Sequence, residues 1–111
     1  MKRITCIIRP HFLEAVKSAI ANLGVSGMSV ADVRGVGSTA PSETRYGNGT
    51  IIAMPIRSRI EVVVPDAQVE SVISTILEAA RTGQMDDGKI FVEAVTHAIR
   101  IRTQDTGDDA L

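Results

Sequence analysis

Between an apolar helical pattern and an apolar strand the chain carries Thr82-Gly83-Gln84-Met85-Asp86-Asp87-Gly88-Lys89-Ile90-Phe91, residue types that in this order can hold an anion. Glycine lets backbone come close to a ligand and turns successive N–H groups into one concavity, where negative charge is favoured. Lys89 adds a point charge at the exit of that loop, suited to phosphate. Further on, Ile99-Arg100-Ile101-Arg102 sets two guanidinium groups two positions apart, hence on one face if the segment is extended. Arginine meets phosphate oxygens bidentately and stays charged. Together these residues describe a polyphosphate site. Gly, Asp and Lys are also ordinary turn residues, so a glycine-rich hairpin turn beside a solvated basic strand is the competing reading.

Catalysis at such a site would need a base or a metal ion held near the phosphates. Asp86 and Asp87 are the one pair placed for that work, and adjacent acids in a turn are ordinarily solvated. His11 and His97 stand far apart with no metal-ligand spacing between them. No Ser-His-Asp arrangement has support. The chain reads as a binding protein rather than an enzyme, with slow nucleotide hydrolysis as the alternative.

The rest of the chain must position this loop. Its 111 residues make one domain, 1–111, and 44% hydrophobic content with only 3% aromatic means a core of Val, Ile, Leu and Ala. A net charge of -1 supplies no bulk attraction to nucleic acid or an anionic membrane. No apolar run approaches the roughly 20 residues of a transmembrane helix. The single Cys6 cannot form an internal disulfide, which fits a reducing cytoplasm. Its alternation with Ile4 and Ile8 makes it a buried small hydrophobe rather than a reactive thiol.

Residues 2–8 are strand-like, and Pro10 stops that strand and opens a helix. Leu13, Val16, Ile20 and Leu23 recur at helical spacing, Glu14 suits the first turn, and Gly24 is the stop signal. Residues 25–36 read as a strand interrupted by Gly27. Residues 37–50, rich in Gly, Ser, Thr, Pro and Asn, read as a long exposed loop. Strand pattern resumes over 51–64, with Pro55 marking an edge or bulge. Pro65-Asp66 punctuates and caps a second helix whose stripe is Val69, Val72, Ile73, Ile76, Leu77 and Ala80. Residues 90–95 are the last full strand, 98–103 a short extended piece, and 104–111 an acidic, flexible tail.

The order βαβ–βαβ, with Pro10 and Pro65 at equivalent places in the two halves, predicts an α+β, ferredoxin-like fold: an antiparallel sheet with two helices on one face. Helices cover only one face, yet Ile7, Ile8, Ile51, Ile52, Val62, Val63 and Val64 supply apolar side chains to both. A dry second face in so small a chain predicts a homo-oligomer.

Read together, these segments resemble the PII signalling proteins of bacteria, archaea and plastids, over Met1 to about Thr103. The matching pieces are Ile7-Ile8-Arg9-Pro10, Gly27-Met28, Val33-Arg34-Gly35-Val36-Gly37, Glu61-Val62-Val63-Val64-Pro65-Asp66, Thr82-Gly83, Asp87-Gly88-Lys89-Ile90-Phe91-Val92 and Ile99-Arg100-Ile101-Arg102-Thr103. The last three are the specific ones, since together they form that family's nucleotide-binding signature. The resemblance implies a homotrimer with an adenine nucleotide in each of three clefts between subunits. By position, Asp87, Gly88 and Lys89 fall in the phosphate loop (82–89), and Arg100 and Arg102 are the arginines reaching in from a neighbouring subunit. Gly35 and Gly37 lie at the base of the mobile T-loop (37–55), where the chain passes the nucleotide. Ser29 stands near the adenine, and Val64 lines the cleft near the base.

The departures from the family pattern shape the function the resemblance implies. Relatives that sense 2-oxoglutarate carry a glutamine where this chain has Thr39, and a basic residue where it has Ser38. Metal coordination and charge are both lost there. The modified tyrosine of many bacterial members has no counterpart, Tyr46 matching a different family tyrosine, and the loop is about one residue shorter. Gln84 replaces a common basic residue and Asp86 a glycine, which should disfavour the most highly charged nucleotide and lean the site to ADP or AMP over ATP. Such a T-loop resembles PII-like subgroups linked to bicarbonate transport and carboxysomes, or to other solute transporters. Arg45, Arg57 and Arg59 could hold a small anion such as bicarbonate beside the nucleotide, or simply form a solvated strand edge. The cysteine pair that some bicarbonate-linked members use as a redox switch is absent. The expectation is a cytoplasmic sensor with no obligatory cofactor or metal, acting through residues 37–55 on a membrane transporter or metabolic enzyme. A nitrogen-regulatory protein sensing ATP and 2-oxoglutarate is the alternative.

Overall fold

The computed structural model describes residues 1–37, 43–46 and 49–111, the side chains of 43–46, 50 and 51 excepted. Alternation of period two builds β1 (Lys2–Ile8) and β5 (Ile56–Val64), which pair antiparallel with Cys6 opposite Ile60. β1 also pairs with β6 (Lys89–Ala94), and β5 with β2 (Ser29–Arg34), giving one antiparallel sheet in the order β2-β5-β1-β6. The helices α1 (Leu13–Asn22) and α2 (Val69–Ala80) pack on each other and on one face of that sheet. This is the ferredoxin-like arrangement that the βαβ–βαβ order predicts.

One parity class of each strand makes the core. Ile4, Cys6 and Ile8 of β1 and Ile60, Val62 and Val64 of β5 bury against Val16 and Ile20 of α1 and Val72, Ile76 and Ala80 of α2. The helical spacing of the last five brings them onto inward stripes. Leu77, expected in that stripe, is instead 47% exposed, being one position beyond the Val72–Ile76–Ala80 line. Gly24 ends α1 as anticipated, at φ +80 and with its N–H donating to the Ala21 carbonyl at 3.0 Å.

Several expectations change. The strand expected over 25–36 narrows to 29–34. That expected over 51–64 breaks at 53–55 into β4 (Gly49–Ile52) and β5, with the Pro55 carbonyl accepting from Gly35 N–H at 3.1 Å. The region expected to be plain loop contains β3 (Glu43–Tyr46), which pairs with β4 in a separate two-stranded sheet. Asp66 caps no helix; its carboxylate meets the Met1 ammonium at 3.0 Å and Lys2 Nζ at 3.1 Å.

The second face of the sheet is not dry. On it Ile7, Val33, Val63 and Phe91 are interleaved with Arg57, Arg59, Glu61, Lys89 and Glu93, by strand parity and register. Residues 98–103 do not extend as read. Ile99 bridges Thr106 around a turn at 101–103, and Gln104 N–H donates to the Arg100 carbonyl at 2.7 Å. The tail expected to be flexible closes this turn and continues into a short 3-10 turn, Gly107–Ala110.

Candidate functional site

Four strand ends converge on the open face, and the loop before β6 folds over them. Across the sheet Arg59 and Lys89 are the register partners of Ile7 on its two sides. They therefore flank one apolar residue at about two strand spacings, roughly 10 Å, near enough for two long side chains to serve one anion. A cavity of about 700 Å³ opens here, floored by Ile7, Val33 and Phe91. Its walls are Arg34 to Gly37 at the end of β2, Arg57 and Arg59 of β5, and Gln84 with Asp86 to Lys89 from the loop.

The loop's shape comes from Asp87. Its Oδ2 accepts the Thr82 and Gly83 backbone N–H groups, each at 2.9 Å. Oδ1 accepts from the Thr82 hydroxyl at 2.5 Å and from Arg9 Nη2 at 2.8 Å. The Thr82 hydroxyl also accepts from Gln84 N–H at 3.2 Å. The Thr82 hydroxyl, more than any other partner, holds the Asp87 carboxyl below its ordinary range, with the two N–H groups and the Arg9 charge acting the same way. Asp87, expected in the phosphate loop by position, is thus an organiser of that loop. A carboxylate so engaged is also a poor general base, which weighs against Asp87 in the hydrolytic role considered for the pair.

Gly88 has a physical reason stronger than the one expected of it. At φ +110, an added Cβ would lie 1.9 Å from the Ile7 carbonyl oxygen. The glycine is demanded by the chain's own close approach to β1, whatever ligand the loop faces. Gly83 at φ +84 meets nothing within 4 Å and answers only to backbone conformation. Asp86 holds φ +69, a left-handed conformation that short polar side chains tolerate better than most.

Gly35, Gly37, Arg57, Arg59, Asp87, Gly88 and Lys89 are therefore gathered around one cavity. Ser29 is exposed on the edge strand and is not part of its lining. Val64, expected to line the cleft near the base, does not line this cavity: it is 1% exposed in the core, on the helix-covered face of the sheet. Arg100 and Arg102 do not share an extended face, and neither lines the cavity of its own chain. Arg100 Nη2 instead donates to the Leu111 carbonyl at 3.0 Å, and its Nη1 lies 3.5 Å from Asp105. Arg102 sits in the turn at 101–103. Ser38 and Thr39 lie outside the described residues, as does the side chain of Arg45.

Beside the apolar lining of Ile7, Val33 and Val36, two arginines and one aromatic residue were missed. Arg34 and Phe91 line the cavity, and Arg9 anchors Asp87 while its guanidinium stacks 5.1 Å from the Phe12 ring centre. All three lie inside motif segments already singled out, so their place in those segments was the available signal. The balance of the walls favours an anion: Arg34, Arg57 and Lys89, together with Arg59 partly offset by Glu61 at 3.5 Å, face Asp86, while the charge of Asp87 is offset by Arg9.

Fold and site together define a small split-βαβ domain with a cationic cleft at one end of its sheet. The family profile described as nitrogen regulatory protein P-II matches residues 1–105. The nitrogen regulatory protein P-II of Nostoc punctiforme is 42% identical over 112 aligned positions, and that of Synechocystis sp. 40%, each alignment covering both chains completely. A P-II homolog of Arabidopsis thaliana is 42% identical over 110 positions, covering 97% of this chain and 56% of that one. The chain belongs to the P-II family of signalling regulators.

Proposed function

We propose that the cleft binds an adenine nucleotide and that occupancy is signalled through residues 37–55 to a membrane transporter or metabolic enzyme. The observation that carries this reading is the convergence of Arg57, Arg59, Gly88 and Lys89 on one cavity, beside Gly35 and Gly37. Gly37 leads directly into residues 38–55, so a ligand against this wall can bias the segment a partner would contact. Arg100 and Arg102, remote from their own cavity, fit a homotrimer in which a neighbouring subunit supplies them. Among the described residues no helix is long and apolar enough to cross a membrane. A cytoplasmic protein acting on its target from the aqueous side agrees with that.

A small anion such as bicarbonate, held by the arginines of β5, is the co-effector in this reading. The second reading, nitrogen regulation through ATP and 2-oxoglutarate, is favoured by the names of the relatives. Calorimetric titration with AMP, ADP and ATP, alone and with bicarbonate or 2-oxoglutarate, decides between them. Binding strengthened by bicarbonate and indifferent to 2-oxoglutarate supports the first. ATP binding strengthened by 2-oxoglutarate supports the second. No binding of any nucleotide at millimolar concentration ends both.

A further inference from the structure

We propose that Asp86 is the charge discriminator of the cleft: a specificity-determining carboxylate that weights binding toward nucleotides with fewer phosphates. The proposal rests on the nucleotide reading above. Asp86 and Asp87 are adjacent, yet the structure gives them opposite circumstances. Asp87 is turned into the loop and neutralised by Arg9. Asp86 lines the cavity, and among the described residues no ion pair or hydrogen bond engages its side chain. Its backbone holds the left-handed φ of +69, so the loop keeps an L residue in a conformation where glycine would fit without strain.

The consequence is electrostatic. Arg57 on β5, and Arg59 to the extent that its Glu61 partner leaves it free, draw a phosphate inward, and their attraction grows with each charge added to the ligand. Asp86 acts in the opposite sense from the loop side, next to Gly88 and Lys89, where a phosphate chain meets the loop. A unit charge within a Debye length of an added phosphate charge, in the intermediate dielectric of a protein surface, changes affinity by several-fold to about tenfold. Asp86 therefore penalises ATP most and AMP least.

The test is to measure AMP, ADP and ATP affinity of the full chain in magnesium-free buffer at low salt, for the unaltered protein, Asp86→Asn and Asp86→Gly. Asparagine keeps the side chain's size and its tolerance of left-handed backbone, and glycine removes both the charge and the strain. Both variants should raise the ratio of ATP to AMP affinity on the order of tenfold, with an effect that shrinks as sodium chloride is added. An unchanged ratio in Asp86→Asn overturns the proposal alone, and so does a change confined to Asp86→Gly, which would assign the effect to backbone. Failure of the unaltered protein to bind any of the three overturns the nucleotide reading and this inference with it.

Discussion

Arg9 and Asp87 meet at 2.8 Å, joining the chain just past β1 to the loop just before β6. The two residues lie in different halves of the sequence, and only the fold brings them together. Because Asp87 also gathers the Thr82 and Gly83 N–H groups, one guanidinium steadies the whole turn that presents Gly88 and Lys89. Arg9→Ala should lower the urea midpoint with little change in slope, and weaken ADP binding on the order of tenfold by loosening the loop. Unaltered ADP affinity in that variant would show that the loop holds its shape without Arg9.

The same carboxylate makes the loop sensitive to acid. Asp87 titrates below its ordinary value of 3.8 in the folded protein, so the folded state holds fewer protons than the unfolded one at low pH. Its contribution is complete above that ordinary value and is lost as pH falls through the lower, folded one. Asp66, lowered chiefly by the Met1 ammonium and then by Lys2, acts in the same direction. Stability should be level from neutral pH to about 5 and fall below about 4. The acid limb should be shallower in Asp87→Asn, as followed by denaturant titrations at stepped pH.

Gly88→Ala tests the contact with β1. The added Cβ would meet the Ile7 carbonyl oxygen at 1.9 Å, and φ +110 is itself unfavourable for alanine. A loss of at least ~2 kcal/mol in unfolding free energy is expected. Gly83→Ala, strained in backbone but free of any clash, should cost less.

Val64→Ala separates core from cleft. Val64 is 1% exposed under the helices, so its truncation should cost about 2 kcal/mol while leaving ADP affinity unchanged. Altered affinity in an equally folded variant would return Val64 to the binding site.

Cys6 should be inert until the domain opens. Burial pushes its thiol up to about 11, and it is 0% exposed in the centre of the sheet. A thiol reagent at pH 8 should label it only at the rate of global unfolding. Because the folded value is raised, this group's contribution to stability is present below pH 9 and is lost as pH rises toward 11.

The architecture was readable because its signals are local. Alternation in β1 and β5 and the spacing of Val72, Ile76 and Ala80 each follow from one element's own period. The site was readable in part. The glycines, Lys89 and the β5 arginines were legible as residue types suited to an anion, and they do share a cavity. What local pattern could not supply was side-chain direction. Val64 belongs to the parity class under the helices, a fact set by register with β1. Asp87 and Asp86 look alike in sequence and both line the cavity, and only the turn decides that one is engaged by the loop's own N–H groups and Arg9 while the other has no such partner among the described residues. Arg100 and Arg102 were paired on the premise of an extended strand, which the bridge from Ile99 to Thr106 replaces with a turn.

The pressing of Gly88 against Ile7 has a practical bearing on how ligands can be detected. Gly88 runs straight into Lys89, the register partner of Ile7, so the exit of the loop is tied into the sheet, and Ile7 lies between two buried neighbours, Cys6 and Ile8. Whatever grips Gly88 and Lys89 is mechanically in series with the central strand. Saturation a hundredfold above the dissociation constant should therefore appear as about 2.7 kcal/mol on global unfolding rather than as local ordering alone. A melting-temperature screen of metabolites can read this cleft directly, with no label and no foreknowledge of the partner.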